Sequence, residues 1–489
     1  MAARKKSFYI IPGAYSMIGI GTIFRRRAGS GGPLPPDYAK WVKEHMVFWY
    51  DMSKPVDIYA ENFNNWTKFT GAKYTVTNKS VNITNFDAVN NACIYITTSK
   101  KFNGITITVD GLLDGQEIAW GYNNNPLVRM PKNGTYTLEP IDSVTGNIGF
   151  RSINIVGACN ITITQLPSGQ SVPTNEILKS NPYLQDHSGN NRPLKLNNFL
   201  FAAMSGVGGY ELNWTDQSIW ARFLGSRFNG AIEPHKLTVT SALGPYSIME
   251  TKVPSYAKKF KVRIDGIVDE TIAYKYVNAS GTLVRFDIKE DGEYELPSNN
   301  TVEGNYNMGW AILVNSYPHT CNITIEQIPS YPNALVTDGV DDYGQVQNLQ
   351  QGVKVLFVTI NPFIDGKFIY DQRLNTTKPW LFAVFNDKGS IAYNSRNSNG
   401  KTYIDGTLNE STIVSALLNK KQIITIVNND VTGDKTKTPI FFSNTNHDGG
   451  WISSAFYNSI GFDSVPTKQN DGFTEQDLIN YVLENLITK

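Results

Sequence analysis

Cysteine and histidine are scarce in this sequence. Its 489 residues include three cysteines, Cys93, Cys159 and Cys321, and five histidines. So small and odd a number of cysteines cannot build a disulfide scaffold, so free thiols are expected, as in a protein assembled in a reducing cytosol. The histidines are isolated, with no H-x-x-x-H, H-E-x-x-H or Cys-His spacing. The sequence therefore predicts no zinc site and no other metal or cofactor.

Several enzyme motifs are missing as well. The chain contains no G-x-S-x-G, no P-loop and no dinucleotide fingerprint. It also lacks the E-x-D-x-x-E pattern of glycan-cleaving sandwiches, in which acid and nucleophile must face one cleft about 5 to 5.5 Å apart. Its closest acidic stretches, residues 290–293 and 338–342, fall on predicted turns. We therefore predict that the protein is not an enzyme.

Charge and composition further restrict the classes of protein to which this chain could belong. Forty-four basic residues against 43 acidic residues leave a formal net charge of +1, and the basic residues are dispersed apart from two N-terminal groups, so no nucleic-acid surface is expected. Aromatic residues make up 12% of the chain, and runs rich in Val, Ile and Tyr alternate with stretches rich in Asn, Thr and Gly. This composition favours an all-β protein, and the length favours about three domains.

The N-terminus carries an apolar run, residues 8–24, between the basic groups 4–6 and 25–27. Pro12, the missing A-x-A-like site and the triple Arg argue against a cleaved secretory signal, and as a membrane span the run is at the short limit. Signal peptide, lipid insertion and disordered tail remain as alternatives. We prefer an anchor that buries its apolar residues in a neighbouring protein, followed by a linker to residue 36. The anchor side chains are Phe8, Tyr9, Ile10, Ile11, Met17, Ile18, Ile20, Ile23 and Phe24.

The sequence contains an internal duplication. ITITVDGLLDGQEIAWGY (105–122) and CNITITQLPS (159–168) return as FKVRIDGIVDETIAYKY (260–276) and CNITIEQIPS (321–330). Period-2 alternation in both copies predicts strands, and Asn-Gly at 133–134 and Asp-Gly at 291–292 predict hairpins. Each copy is the size of a β-sandwich. The strand-dense pattern and the xGxYxL segment resemble jelly-roll carbohydrate-binding modules.

Four other segments belong together. LVTDGVDDY (335–343) predicts a tight corner between strands, because its Gly can take φ > 0 and its acidic side chains can accept turn amides. This segment resembles the DGxDDY signature of laminin-G-like, concanavalin A-like jelly-roll domains. MVFWYD (46–51), LQDHSGNNRPLKL (184–196) and TYIDGTL (402–408) are similar to other parts of the same family pattern. The resemblance implies one sandwich interrupted by the two copies.

We accordingly predict an all-β, concanavalin A-like sandwich with two homologous inserted sandwiches. Residues 354–361, 380–385 and 422–427 are expected as core strands, and residues 37–44 as a short helix. Thr474 and Asp477 form a capping-box pattern that starts a C-terminal helix. The expected units are an anchor and linker (1–36), a discontinuous laminin-G-like sandwich (37–56, 172–208 and 332–489), and two inserted repeats (57–171 and 209–331).

Two groups of side chains are candidates for binding. Asp338, Asp341 and Asp342 could donate oxygens to Ca²⁺, although turn carboxylates bonded to backbone amides are the favoured alternative. Exposed aromatic rings could stack on sugars, although burial in a core is the commoner fate of such residues. The aromatic candidates are Trp214, Trp220, Tyr274, Tyr276 and Trp310.

The order of an apolar anchor, a Gly/Pro linker and nested sandwiches resembles head-fibre and tail-fibre proteins of tailed bacteriophages, including crAss-like phages. The resemblance implies a virion protein assembled in the host cytoplasm, with capsid, tail or fibre proteins as partners and a host glycan as a further ligand. A homo-oligomer is expected, and a trimer would let three chains enclose their apolar segments. The alternatives are a secreted bacterial surface carbohydrate-binding protein and a glycan-cleaving enzyme.

Overall fold

The computed structural model describes residues 37–89, 91–122, 125–244, 247–251, 259–298, 308–349, 352–363, 368–372, 382–385, 390–393, 400–409, 413–415, 418–428, 439–443 and 451–487. The predicted anchor and linker lie outside these residues. Antiparallel β-sheets make up most of what is described, which confirms the all-β prediction. No helix within the described ranges has both the length and the apolar character that a bilayer crossing requires.

The described part of the chain begins with the predicted short helix, α1 (Tyr38–His45), capped by Asp37, whose carboxylate accepts the Lys40 amide at 3.0 Å. Strand β1 (Met46–Asp51) follows directly. The first copy then contains a 3₁₀ turn (Phe63–Asn65) and the strands β2 (Val56–Ile58), β3 (Thr67–Lys68), β4 (Ala72–Val76), β5 (Ser80–Phe86), β6 (Ala92–Ile96), β7 (Ile105–Asp110), β8 (Glu117–Tyr122), β9 (Asn125–Met130), β10 (Gly134–Leu138), β11 (Ile148–Ile153), β12 (Gly157–Gln165) and β13 (Gly169–Ser171).

A short connecting stretch separates the two copies. It contains α2 (Asn175–Ser180), β14 (Tyr183–Leu184), β15 (Leu194–Asn197) and β16 (Gly206–Gly208). The second copy has the strands β17 (Trp220–Arg222), β18 (Phe228–Ile232), β19 (Lys236–Ala242), β20 (Ser247–Thr251), β21 (Phe260–Asp265), β22 (Thr271–Val277), β23 (Leu283–Ile288), β24 (Gly292–Leu296), β25 (Met308–Leu313) and β26 (His319–Ile328).

The last third of the chain completes the remaining sheets. Its strands are β27 (Tyr331–Asp338), β28 (Tyr343–Val346), β29 (Val355–Pro362), β30 (Phe368–Asp371), β31 (Phe382–Phe385), β32 (Ser390–Tyr393), β33 (Gly400–Ile404), β34 (Thr407–Asn409), β35 (Ile413–Ser415), β36 (Gln422–Asn428), β37 (Ile440–Phe441) and β38 (Ser453–Phe462). Helices α3 (Lys468–Asp471) and α4 (Glu475–Asn485) follow. Thr474 and Asp477 form the predicted capping box of α4.

Two eight-stranded sheets share one apolar core. The first, sheet I, has the order β16-β27-β38-β29-β36-β33-β34, with β1 also paired to β38, and the second, sheet II, has the order β14-β15-β28-β37-β30-β31-β32-β35. Phe48, Leu356 and Phe456 of sheet I pack in the same buried group as Leu196 and Phe441 of sheet II. The segments 46–51, 354–361 and 402–408 therefore lie in one sheet, as the sequence predicts.

Sheet I is buried on both faces. Its second face carries residues such as Trp49, Phe357 and Ile460, which pack against α1 and α4 through Trp41 and Leu478. Every residue of β1, β29 and β36 is consequently buried. This explains why these strands read as continuous apolar runs rather than as alternating patterns.

The two copies have the same strand order. The first has sheets β10-β7-β12-β5-β4 and β3-β6-β11-β8-β9, and the second has β24-β21-β26-β19-β18 and β17-β20-β25-β22-β23. Cys159 and Cys321 are the third residues of β12 and β26, and their thiols donate at 3.6 Å to the equivalent carbonyls of Ile83 and Val239. All three cysteines are free.

Each copy begins and ends at neighbouring strands. Strands β2 and β13, the first and last of the first copy, form a two-stranded sheet and pair from Val56 opposite Ser171 to Ile58 opposite Gly169. Strands β16 and β27, which flank the second copy, pair antiparallel in sheet I. Because its entry and exit are adjacent, the second copy can leave sheet I and return to it without disturbing the strands on either side.

The Asn-Gly and Asp-Gly turns differ from the prediction. Strand β9 pairs with β8 and β10 pairs with β7, so the turn after β9 joins two sheets and is not a hairpin. The same holds after β23. Asn133 accepts the Leu112 amide at 2.7 Å and Asp291 accepts the Ile267 amide at 2.8 Å. These side chains tie each turn to a distant connection, which a local turn signal does not reveal.

A core substitution tests whether β1 belongs with the distant strands. Phe48 is fully buried and its ring stacks on Tyr50 at 5.0 Å. Phe48→Ala should cost about 3–5 kcal/mol and raise amide hydrogen exchange in β29 and β38 by about a hundredfold or more. The matched variant Phe150→Ala, in the core of the first copy, should raise exchange within that copy instead. Faster exchange confined to the first copy in Phe48→Ala would contradict this arrangement.

Candidate functional site

The loop of residues 185–193 docks against β1. One Asp186 oxygen accepts the Trp49 amide at 3.0 Å, although the two residues are 137 positions apart. Asn190 Nδ2 donates to the Met46 carbonyl at 2.7 Å, and Arg192 Nη1 donates to the Val47 carbonyl at 3.0 Å. The two segments that resemble one family pattern are therefore joined by hydrogen bonds between side chains of the loop and the main chain of β1.

A polar cleft of about 730 Å³ opens beside this loop, between it and the first copy. Its walls come from β2, from the β4–β5 turn, from the end of α2 and from the loops before β15 and after β28. Amide side chains, two tyrosines, two aspartates and one lysine are prominent among its lining residues. They include Asp57, Tyr59, Asn64, Asn78, Lys79, Asn181, Tyr183, Gln185, Asp186, Asn191, Gln347 and Asn348.

Hydrogen bonds hold the cleft walls in place. Asp57 accepts Gln170 Nε2 at 3.0 Å, and its own amide donates to Gln185 Oε1 at 3.1 Å. Asn348 Nδ2 donates to the Asn191 carbonyl at 3.4 Å. These bonds link β2, β13 and the loops around the cleft to one another.

One wall of the cleft favours a ligand that is polar in part. Lys79 Nζ lies 5.5 Å from the Tyr59 ring centroid and 3.4 Å from its hydroxyl. Asn181 also lines the cleft, but its Oδ1 is buried, and within the described ranges no donor reaches it. An aromatic ring beside a cation matches a ligand with both hydroxyl groups and an apolar face.

The buried carboxylate of the cleft is fully occupied. Asp186 accepts the amides of Trp49 and Ser188 on one oxygen and the Arg192 amide on the other, at 2.9–3.0 Å. A carboxylate bonded in this way serves as a structural acceptor, and the arrangement holds the loop in place against β1.

The acidic turn is the predicted corner, and it joins β27 of sheet I to β28 of sheet II, with Gly339 at φ +78°. Asp338 accepts the Val340 amide at 2.8 Å, and Asp342 accepts the Asp338 amide at 3.0 Å and the Ser205 hydroxyl at 3.0 Å. This is the favoured alternative, turn carboxylates bonded to amides. Oxygens of Asp338, Asp341 and Asp342 also lie within 4.8 Å of one another, which is compatible with a Ca²⁺ ligand set.

Four of the five aromatic glycan candidates belong to the core of the second copy. Trp214, Trp220, Tyr274 and Trp310 are at most 3% exposed and pack together with the buried strands. They present no face to a sugar, so the structure corrects this prediction for them. Tyr276 is half-buried and stacks beside Tyr274, with ring centroids 6.2 Å apart. Period-2 alternation marks a buried face but does not say which aromatic lies on it.

One group of potential metal ligands was not predicted from the spacing of residues in the sequence. Asp269, Glu270 and His319 have ligand atoms within 4.8 Å of one another, although 49 positions separate Glu270 from His319. Strands β21 and β26 are neighbours in one sheet, and their pairing brings the turn after β21 beside the start of β26. Only strand pairing could reveal this proximity, because a search for closely spaced ligands cannot.

Comparisons with known proteins identify no family for this chain. No protein-family model and no curated protein matches the chain. Among solved structures, two mutants of the oxalate decarboxylase OxdC of Bacillus subtilis align over 63% of this chain and 88% of theirs, at 6% and 5% identity. Both alignments have a TM-score of 0.12, which is too low to indicate a common fold.

Asp342 should make stability depend on pH. Burial, followed by the charges of Asp338 and Asp341, raises the pKa of the Asp342 carboxyl to about 7, against about 3.9 in an unfolded chain. The folded state thus binds this proton more tightly, and the stabilisation present below about pH 4 is lost as the pH rises through 7. Asp342→Asn should flatten the fall in melting temperature between about pH 4 and 8.

Asp114→Asn, which removes an exposed turn carboxylate, controls for the change in net charge. Melting curves of the wild type and both variants across the same pH series provide the comparison. Identical profiles for the wild type and Asp342→Asn would show that Asp342 does not titrate in this range.

Proposed function

We propose that the chain is a non-enzymatic structural protein of a tailed-phage virion, a fibre or decoration subunit that displays β-sandwiches. The proposed architecture is a discontinuous sandwich similar to laminin-G-like domains, with two jelly-roll copies inserted between its strands. Three observations support it: β1, β29 and β38 share sheet I, each copy enters and leaves through adjacent strands, and the copies have one strand order.

The polar cleft is the observation on which the binding role rests. Its lining combines amide groups, which both donate and accept, with tyrosine rings. Carbohydrates present hydroxyl groups around an apolar ring face, so both parts of the lining have a counterpart in such a ligand. On this proposal the cleft binds a glycan of the host surface.

Absence of catalysis is part of the proposal. Hydrolysis of a glycosidic bond needs two carboxyl groups on either side of the scissile bond. Asp186 is engaged by three main-chain amides, and Asp57 is hydrogen-bonded to Gln170 and, through its amide, to Gln185. These contacts support binding without turnover.

The N-terminal segment supplies the attachment in this proposal. Burying most of the apolar side chains between residues 8 and 24 at about 25 cal/mol per Å² would contribute several kcal/mol, enough to hold a subunit in an assembly. A trimer around an axis would leave no apolar patch exposed. The partners proposed are therefore copies of this chain and other virion proteins.

Glycan binding can be tested at Tyr59. Full-length protein should retain one or more glycans on an array of bacterial surface polysaccharides, and Tyr59→Ala should weaken that binding about two- to tenfold, since an aromatic contact of about 0.5–1.5 kcal/mol is lost. Tyr136→Ala is the matched control: Tyr136 is a half-buried tyrosine of the same copy whose hydroxyl donates to the Lys132 carbonyl at 2.7 Å. Equal binding by wild type and Tyr59→Ala would exclude this wall of the cleft.

Truncation tests the anchor. Deleting residues 1–27 should leave the sandwiches folded, as judged by circular dichroism and melting temperature, while the protein no longer enters purified particles. The physical reason is that the apolar run contributes to attachment and not to the sandwich cores. Normal incorporation of the truncated protein would refute the anchor, and an exported, processed N-terminus would favour the secreted carbohydrate-binding alternative.

A further inference from the structure

A group of three potential ligands lies on the second copy, apart from the cleft. Asp269 and Glu270 are on the turn between β21 and β22, and His319 is the first residue of β26. His319 Nε2 lies 2.9 Å from Glu270 Oε1 and 3.6 Å from Asp269 Oδ1. One imidazole nitrogen and two carboxylates thus converge on one point.

The group runs from the interior to the surface. The exposed fractions of the Glu270, His319 and Asp269 side chains are 2%, 20% and 64%. Glu270 is fixed in place because its other oxygen, Oε2, accepts the amides of Val268 at 2.8 Å and Asp269 at 3.1 Å. Its Oε1 therefore points at His319, and the exposed Asp269 leaves a path for an ion from solvent.

The first copy shows what this turn requires. There Gln116 Oε1 accepts the Leu113 amide at 3.0 Å, just as Glu270 accepts the Val268 amide. Gly157 begins β12 where His319 begins β26. The equivalent turn of the first copy, which is one residue longer, is therefore built with a neutral acceptor and without an imidazole.

The turn itself does not require the charge of Glu270, because the first copy has a neutral amide at this place. The buried carboxylate accepts two main-chain amides and lies 2.9 Å from His319 Nε2. A bound cation would add a positive charge beside it.

We propose that Asp269, Glu270 and His319 bind a divalent transition-metal ion of the Zn²⁺ class. Zn²⁺ accepts histidine nitrogen and carboxylate oxygen at about 2.0–2.2 Å, with water completing a tetrahedral set. Ca²⁺ prefers six to eight oxygen ligands, which this group does not offer. On binding, His319 Nε2 gives up any proton it shares with Glu270, and the ion takes the place of that hydrogen bond. The ion then ties the β21–β22 turn to β26.

The test uses full-length protein from which a chelator has removed any metal. Binding of added Zn²⁺ is measured by calorimetry, and binding of added Co²⁺ is measured by visible absorption. Wild type should bind one Zn²⁺ at this site and develop the absorption of tetrahedral Co²⁺. Glu270→Gln, which copies Gln116, and His319→Gln should each bind at least about tenfold more weakly. Asp114→Asn, which changes the matching turn of the first copy, should bind as wild type does.

Two further measurements distinguish a loss of metal binding from a loss of folding. Circular dichroism before metal addition shows whether Glu270→Gln is folded, and Asp269→Asn alters an exposed side chain that a folding defect cannot involve. Added Zn²⁺ should raise the melting temperature of wild type and not that of Glu270→Gln. Zn²⁺ affinity unchanged in His319→Gln or in Asp269→Asn, or Ca²⁺ binding as tightly as Zn²⁺ at this site, would overturn the proposal.

Discussion

Strand β38 is the constraint on which the rest of the fold depends. It pairs along its length with β29 on one edge, and with β1 and then β27 on the other. A stretch near the start of the described chain and three stretches from its last third thereby become neighbours in a sheet that is buried on both faces. Leaving any of these strands unpaired would expose apolar surface and buried main-chain groups.

The loop that carries Asp186 links sheet I to the cleft. Because its side chains bond to the main chain of β1, the loop is fixed by the same sheet that β38 organises. The opposite wall belongs to the first copy, whose strands β2 and β13 pair with each other. Neither the loops of the two large sheets nor the first copy forms the cleft alone.

The two copies show which properties duplication preserved. Their cores and strand orders correspond, but the outward rows across one sheet of each have diverged. Aligned neighbours in the first copy are hydroxyl residues, and those in the second alternate in charge. The rows are Thr135, Thr108, Thr164 and Ser80 against Glu293, Arg263, Glu326 and Lys236. Surface chemistry can change in this way because exposed positions contribute little to stability.

The sequence by itself determined the elements whose signals are local: the apolar runs of β1 and β29, the capping box at Thr474 and Asp477, the Gly339 corner and the duplication. Only the tertiary structure decided the register in which distant strands pair, and so the cleft, the burial of Trp214 and the approach of His319 to Glu270. The physical reason is that periodicity and turn chemistry act between neighbouring residues. Register and the packing of one sheet on another bring together side chains that share no sequence spacing.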